Sequence, residues 1–182
     1  RGQLGLSMTF FEELWSRNLG NIMISPLRNY ELILSLIIVS LFRTCMGLIP
    51  AVFVANFFFE FHIFELGVYL ILFFFNLILM GWTIGFFVSG LVLRFGQAFE
   101  ELAWAIIFVI LPFSCVYYPL ETLPLFFQKI SLLLPPIHIF EGMRSILINN
   151  YFDLPLFFKV IIINLIFFIF SILFFLKMID LS

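Results

Sequence analysis

Three residues able to do chemistry recur at one spacing late in the chain: His138, Glu141 and Arg144, three apart in Pro135-Pro136-Ile137-His138-Ile139-Phe140-Glu141-Gly142-Met143-Arg144. On a helix they share a face. An imidazole beside a carboxylate can transfer protons or join a metal shell. Two ligand types at one spacing are thin support for either. The other readings are a polar cluster near an exit path and an interfacial helix held by ordinary ion pairs. Elsewhere the chemistry is missing. There is no glycine-rich loop ending in Gly-Lys-Ser or Gly-Lys-Thr, no His pair at metal spacing and no Ser nucleophile elbow. Cys45 and Cys115 sit in apolar runs without disulfide or metal spacing and read as buried, inert thiols. No metal and no cofactor are expected. If ATP is used, another chain binds it.

A second group lies near the start. Glu12, Glu13, Arg17, Asn18, Asn21 and Arg28 interleave with Phe10, Phe11, Leu14, Trp15, Leu19 and Ile22. Leu14 and Trp15 followed by Leu19 and Ile22 is helical spacing, which predicts an amphipathic helix broken at Ser25-Pro26. An exposed face with Glu13, Trp15, Arg17 and Asn18 has the composition of a protein contact. Trp15 suits a membrane-surface anchor equally well. Glu100 and Glu101 precede an apolar run, where a helix N-terminus favours carboxylates.

The elements that must carry these residues are set by composition. Hydrophobic residues make up 64% of the 182, charged residues 11%, and mean hydropathy is +1.20. Soluble domains run at about 45–50% apolar and about 25% charged. Lipid is therefore the solvent for most side chains. The net charge of -2 argues against a nucleic-acid partner, which would need a basic surface. Apolar runs cover Leu32 to Phe59, Leu66 to Leu93, Leu102 to Leu120 and Leu156 to Leu176. The expectation is an all-α integral membrane protein in one domain, 1–182, with about four spans. The polar segment 1–29 lies ahead of them, and a re-entrant or interfacial helical hairpin, 121–153, precedes the last.

Details within the runs matter. Arg43 divides the first. Either a tilted helix buries it, or the span starts near it and the side chain snorkels to the headgroups, which costs less. Gly81, Gly85 and Ser89 form a small-residue face suited to close helix packing. Pro112 should kink the third run. Pro124 opens a short helix, Leu125 to Leu134, that Pro135-Pro136 ends. Another follows around Ile137 to Ile148. Arg1, Arg17, Arg28, Arg94 and Lys177 favour cytoplasmic termini, with Lys129, Arg144 and Lys159 on the outer side.

The order of these features resembles the ABC-2 type permease family. Phe11-Glu12-Glu13-Leu14-Trp15-Ser16-Arg17-Asn18-Leu19, running on to Ile24-Ser25-Pro26-Leu27-Arg28, looks like the cytoplasmic segment before that family's third span. Tyr118-Pro119-Leu120-Glu121-Thr122-Leu123-Pro124 looks like its kinked fifth span entering re-entrant helices. The His138, Glu141, Arg144 stretch is similar to its Pro-x-x-His-x-x-Glu-x-x-Arg pattern. The resemblance implies the C-terminal two thirds of a six-span permease. It also implies a second permease copy, lipid surroundings and a separate ATPase subunit. Energy would enter through Glu13, Trp15, Arg17, Asn18, Ser25 and Pro26, with His138, Glu141 and Arg144 near the exit. Export of a lipophilic or glycan-type substrate from a bacterial inner membrane would follow. A lipid-modifying enzyme and a non-transporting scaffold or channel subunit are the alternatives.

Overall fold

Helix accounts for most of the described backbone. The structure, a computed structural model, describes residues 5–24, 28–59, 67–149 and 152–181. Eight α-helices occur among them: α1 Gly5–Trp15, α2 Leu19–Ile24, α3 Asn29–Phe59, α4 Gly67–Phe95, α5 Glu101–Phe113, α6 Leu125–Ser131, α7 Pro135–Asn149 and α8 Leu154–Leu181. Short 3-10 turns at Gln97–Glu100 and Leu120–Thr122 precede α5 and α6.

Three of these helices are long and apolar enough to cross a membrane: Asn29–Phe58, Gly67–Phe95 and Leu154–Leu181. The fourth expected span is not one continuous helix. With 13 residues, α5 reaches about 20 Å at 1.5 Å per residue, against about 30 Å of hydrocarbon. Pro112 does not bend a long helix but lies in its last turn. Ser114 then closes the end, its N–H donating to the Ile110 carbonyl at 2.9 Å and its hydroxyl to Leu111 at 2.7 Å. Cys115 follows at φ 51, which turns the chain away.

The core is a parallel pairing of α4 and α8. Asn164 Nδ2 donates to Asn76 Oδ1 at 3.1 Å, and the Ser171 hydroxyl donates to the Thr83 carbonyl, both pairs 88 residues apart. Arg94 donates to the Leu181 carbonyl at 3.0 Å, 87 apart. A constant offset means that both helices run the same way. Aromatic rings fill the seam, with Phe86 against Phe168 and Phe175, and Phe87 against Phe174. At Gly90 an added Cβ would lie 3.0 Å from the Phe174 ring, so glycine is what lets α8 approach. Because α4 and α8 are parallel, the chain between Phe95 and Leu154 must return along the bundle. Residues 101–120 do so as α5 plus an irregular turn, from Glu100 at the Arg94 end to Leu120 at the opposite, far end.

The two short helices after Pro124 do not pair side by side as a simple hairpin. α6 meets α5 through Phe127 and Phe113, ring centroids 5.8 Å apart. α7 lies against α4 and α8, with Ile139 buried among Phe73, Phe157 and Val160. Pro135 opens α7 rather than only closing the helix before it, as its missing N–H allows at a first helical position.

Candidate functional site

The polar segment ahead of α3 divides into a buried half and an exposed half. In α1, Leu6, Phe10 and Phe11 are fully buried between α3 and α4, and Phe10 meets Phe175 edge-on at 5.9 Å. Glycines permit this approach. A Cβ on Gly85 would sit 2.9 Å from Leu6 Cβ, and one on Gly5 would sit 3.1 Å from Ser40 Oγ. The packing partner of the small-residue face is thus α1, at Gly85. Gly81 and Ser89 are buried on the same helix, the Ser89 hydroxyl without a hydrogen-bond partner.

The single amphipathic helix expected through Ile22 is interrupted. α1 stops at Trp15, and the Asn18 N–H bonds the Glu13 carbonyl while the Arg17 N–H bonds that of Leu14, both at 3.1 Å. This pair is a Schellman closure. Its left-handed position, usually glycine, is held by Arg17 at φ 55. The Glu13 carboxylate accepts from Asn18 Nδ2 at 2.8 Å and braces the turn. Ser16 and Arg17 are exposed, and α2 beyond them leaves Ile24 87% exposed. Leu14 and Trp15 therefore belong to a different helix from Leu19 and Ile22. Ser25 and Pro26 lie outside the described residues.

Two side-chain ties bind α1 to other elements. Arg43 closes its fork on Glu12, Nη1 to Oε1 at 2.7 Å and Nη2 to Oε2. Those charge-assisted bonds hold the Glu12 carboxyl below its ordinary range. Of the two readings of Arg43, burial in a tilted helix or snorkelling to headgroups, neither named this partner: the side chain reaches a carboxylate of its own chain. Trp15 remains 49% exposed, yet its indole N–H donates to Glu100 Oε2 at 3.0 Å. Glu100 thus does more than favour a helix start. The Glu12–Arg43 pair had a trace in the sequence, an arginine in an apolar run with acids upstream. The Trp15–Glu100 pair, 85 residues apart, had none.

At the far end, the His138, Glu141 and Arg144 triplet splits in use. Glu141 Oε1 accepts the Leu120 N–H at 2.9 Å and is paired with Arg144 Nη1. Arg144 Nη2 reaches the carbonyls of Cys115 at 3.2 Å and Tyr118 at 3.3 Å. Together they staple the turn after α5 onto α7. His138 turns elsewhere. It is buried, donates Nε2–H to the Leu132 carbonyl at 2.9 Å, and lines a small void with Phe73, Phe152, Asp153 and Phe157. Burial pushes its pKa below the usual histidine value. His138 and Glu141 do not converge on a common point, which removes support from a catalytic reading. Among the described residues no group of three or more His, Cys, Asp or Glu could hold a metal. Cys115 is fully buried at the stapled turn, and Cys45 is half-buried.

A family model described as ABC-2 type transporter matches residues 4–148. The chain belongs to the ABC-2 type transporter family. Members of this family are transporter membrane subunits, and the chain is accordingly a multi-pass membrane protein of an ABC transporter. The match takes in both polar assemblies, the α1–α2 turn and the α7 staple, and stops short of α8. No curated protein and no solved structure matches the chain.

Proposed function

We propose that this chain is the permease subunit of an ATP-driven exporter, moving a lipophilic or glycan-type substrate across a bacterial inner membrane. A separate ATPase subunit supplies the energy, and a second permease copy completes the transporter. One observation carries the coupling. The segment ahead of α3 is sunk into the bundle by Leu6, Phe10 and Phe11, while Ser16 and Arg17 at its turn, and Gly20, Asn21 and Ile24 of α2, stand exposed. A push on that turn moves a body packed on both α3 and α4. Trp15 precedes that turn, Arg17 lies within it, and both are residue types that anchor protein contacts.

The basic residues support an orientation with the Arg94 end of the bundle in the cytoplasm. Residues 101–120 then make a fourth crossing as a broken element, and α6 and α7 lie toward the outside. Labelling from outside should modify a single cysteine placed at His62, which lies outside the described residues, and spare one at Gln97.

Co-purification tests the coupling. Trp15→Ala with Arg17→Ala, in a full-length permease, should leave membrane insertion intact. Recovery of the ATPase should fall, by about 1 kcal/mol of binding or more if both are hot spots. Unchanged recovery from the double mutant would remove this segment from the mechanism.

A further inference from the structure

α5 is only shallowly embedded in the bundle. None of its described side chains is fully buried, and Trp104, Phe108, Val109 and Leu111 are exposed. Ile106 and Ile110, one turn apart, are its partly buried contacts with the main core. Helix α4 beside it is buried over most of its length. With few buried contacts inside the chain, α5 is tied to its neighbours mainly at its ends.

Both ends of α5, by contrast, are held by polar bonds. At its start, Glu100 accepts the Trp15 indole N–H from α1. At its finish, Glu141 and Arg144 grip Leu120, Cys115 and Tyr118 from α7. Between α4 and α5 stands Gly96 at φ 88, ψ -178, a conformation open essentially to glycine alone. A Cβ there would meet nothing within 4 Å, so backbone freedom and not space requires the glycine. α1 itself cannot swing free, because Arg43 holds Glu12 and Leu6 is locked on Gly85.

We infer that α5 is a strut carrying displacement from the Arg17 turn to the far-end staple, with Glu100 as the positioning residue that links it to α1. The inference rests on the chain being an ATP-driven permease. The chain of contacts is continuous: the exposed turn at Arg17, Trp15 two residues before it at the end of α1, Glu100, the helix pivoting at Gly96, and the 115–120 turn on Glu141 and Arg144. A carboxylate suits the link because it accepts an indole N–H without a hydrogen of its own to place. Glutamine keeps an acceptor oxygen at the same reach; alanine does not.

The test uses full-length permease purified with its ATPase in lipid nanodiscs. Hydrogen exchange is compared with and without trapping by ATP and orthovanadate. In wild type, trapping should change exchange at both the 16–18 turn and the 115–120 turn. Glu100→Ala should keep the response at 16–18 and lose it at 115–120, and Glu100→Gln should restore it. A far-end response that survives Glu100→Ala overturns the strut and leaves the permease reading standing, as does failure of Glu100→Gln to restore a lost one. A wild-type permease that recovers no ATPase overturns both.

Discussion

The guanidinium of Arg43 faces the carboxylate of Glu12 fork to fork, an α3 side chain reaching back to α1. The arginine lies at the height of the bundle where Trp82 of α4 donates to Ser40 at 3.1 Å. Helical side chains lean toward the helix N-terminus, so Arg43 extends toward the end where Glu12 waits. Lysine carries the charge but not the fork. Arg43→Lys should therefore loosen α1, and Glu12→Gln with Arg43→Gln should show a coupling of about 0.5–1 kcal/mol in a double-mutant cycle, the size of a half-exposed pair. Since the folded Glu12 carboxyl titrates below its unfolded value of 4.5, this contribution is complete above that value. It is lost as pH falls through the lower folded one. A spin-label distance between α1 and α3 that holds from pH 8 to 5 and lengthens only in stronger acid is the expected record.

Packing at Gly85 sets where α1 sits. Gly85→Ala puts a methyl 2.9 Å from Leu6 Cβ and Cδ2, an overpacking that should cost about 1–3 kcal/mol. Leu6→Ala should relieve it only partly, since the Cβ remains. Gly47→Ala on α3, where a Cβ meets nothing within 4 Å, is the control and should be neutral or stabilising. Thermal unfolding in detergent of the three variants reads the difference.

Arg17 combines a strained backbone with an exposed charge. Arg17→Gly should keep the helix closure and remove a left-handed penalty of about 1 kcal/mol, while weakening ATPase recovery. A variant that gains stability and loses partner would separate the fold of the turn from its use. Equal recovery of the ATPase would show that the backbone turn alone is what the partner needs.

Cys115 reports on the far-end staple. Arg144→Ala strips bonds from two carbonyls and from Glu141, and hydrogen bonds to a charged group are each worth about 1.5–3 kcal/mol. Losing even about 1.4 kcal/mol of that from the opening free energy raises opening tenfold. In a Cys45→Ser background, maleimide should modify Cys115 at least about tenfold faster in Arg144→Ala than in the parent.

His138 should make stability fall on mild acidification. Burial, helped by Lys159 and opposed by the Leu132 hydrogen bond, lowers its folded pKa beneath the unfolded 6.5. Below 6.5 the unfolded chain takes up a proton that the folded chain does not, so stability drops until pH passes the folded value. His138→Gln, which can still donate to Leu132, should flatten that slope. Melting temperatures at pH 7.5 and 5.5 compare the two proteins.

Composition alone determined that this chain lives in lipid, because 64% hydrophobic residues cannot be hidden in a core of 182 residues. Run lengths determined the three long helices, and ordered local motifs pointed to the family, since both depend on residues close in sequence. Pro124 and Pro135 marked helix boundaries, because a missing N–H acts where it stands; Pro112, read as a kink within a span, lies instead in the last turn of α5. What the tertiary structure decided is of another kind. That Gly85 receives Leu6, that Trp15 finds Glu100, and that Glu141 serves Leu120 while His138 serves Leu132 depend on which helix lies beside which. Side chains on an apolar helix carry no record of their neighbour, since lipid and protein interior are equally apolar to them. The helix break at Arg17 also needed three dimensions. Arginine is a good helix former, and only the docking of α1 against α3 and α4, with the closure on Glu13 and Leu14, outweighs that preference.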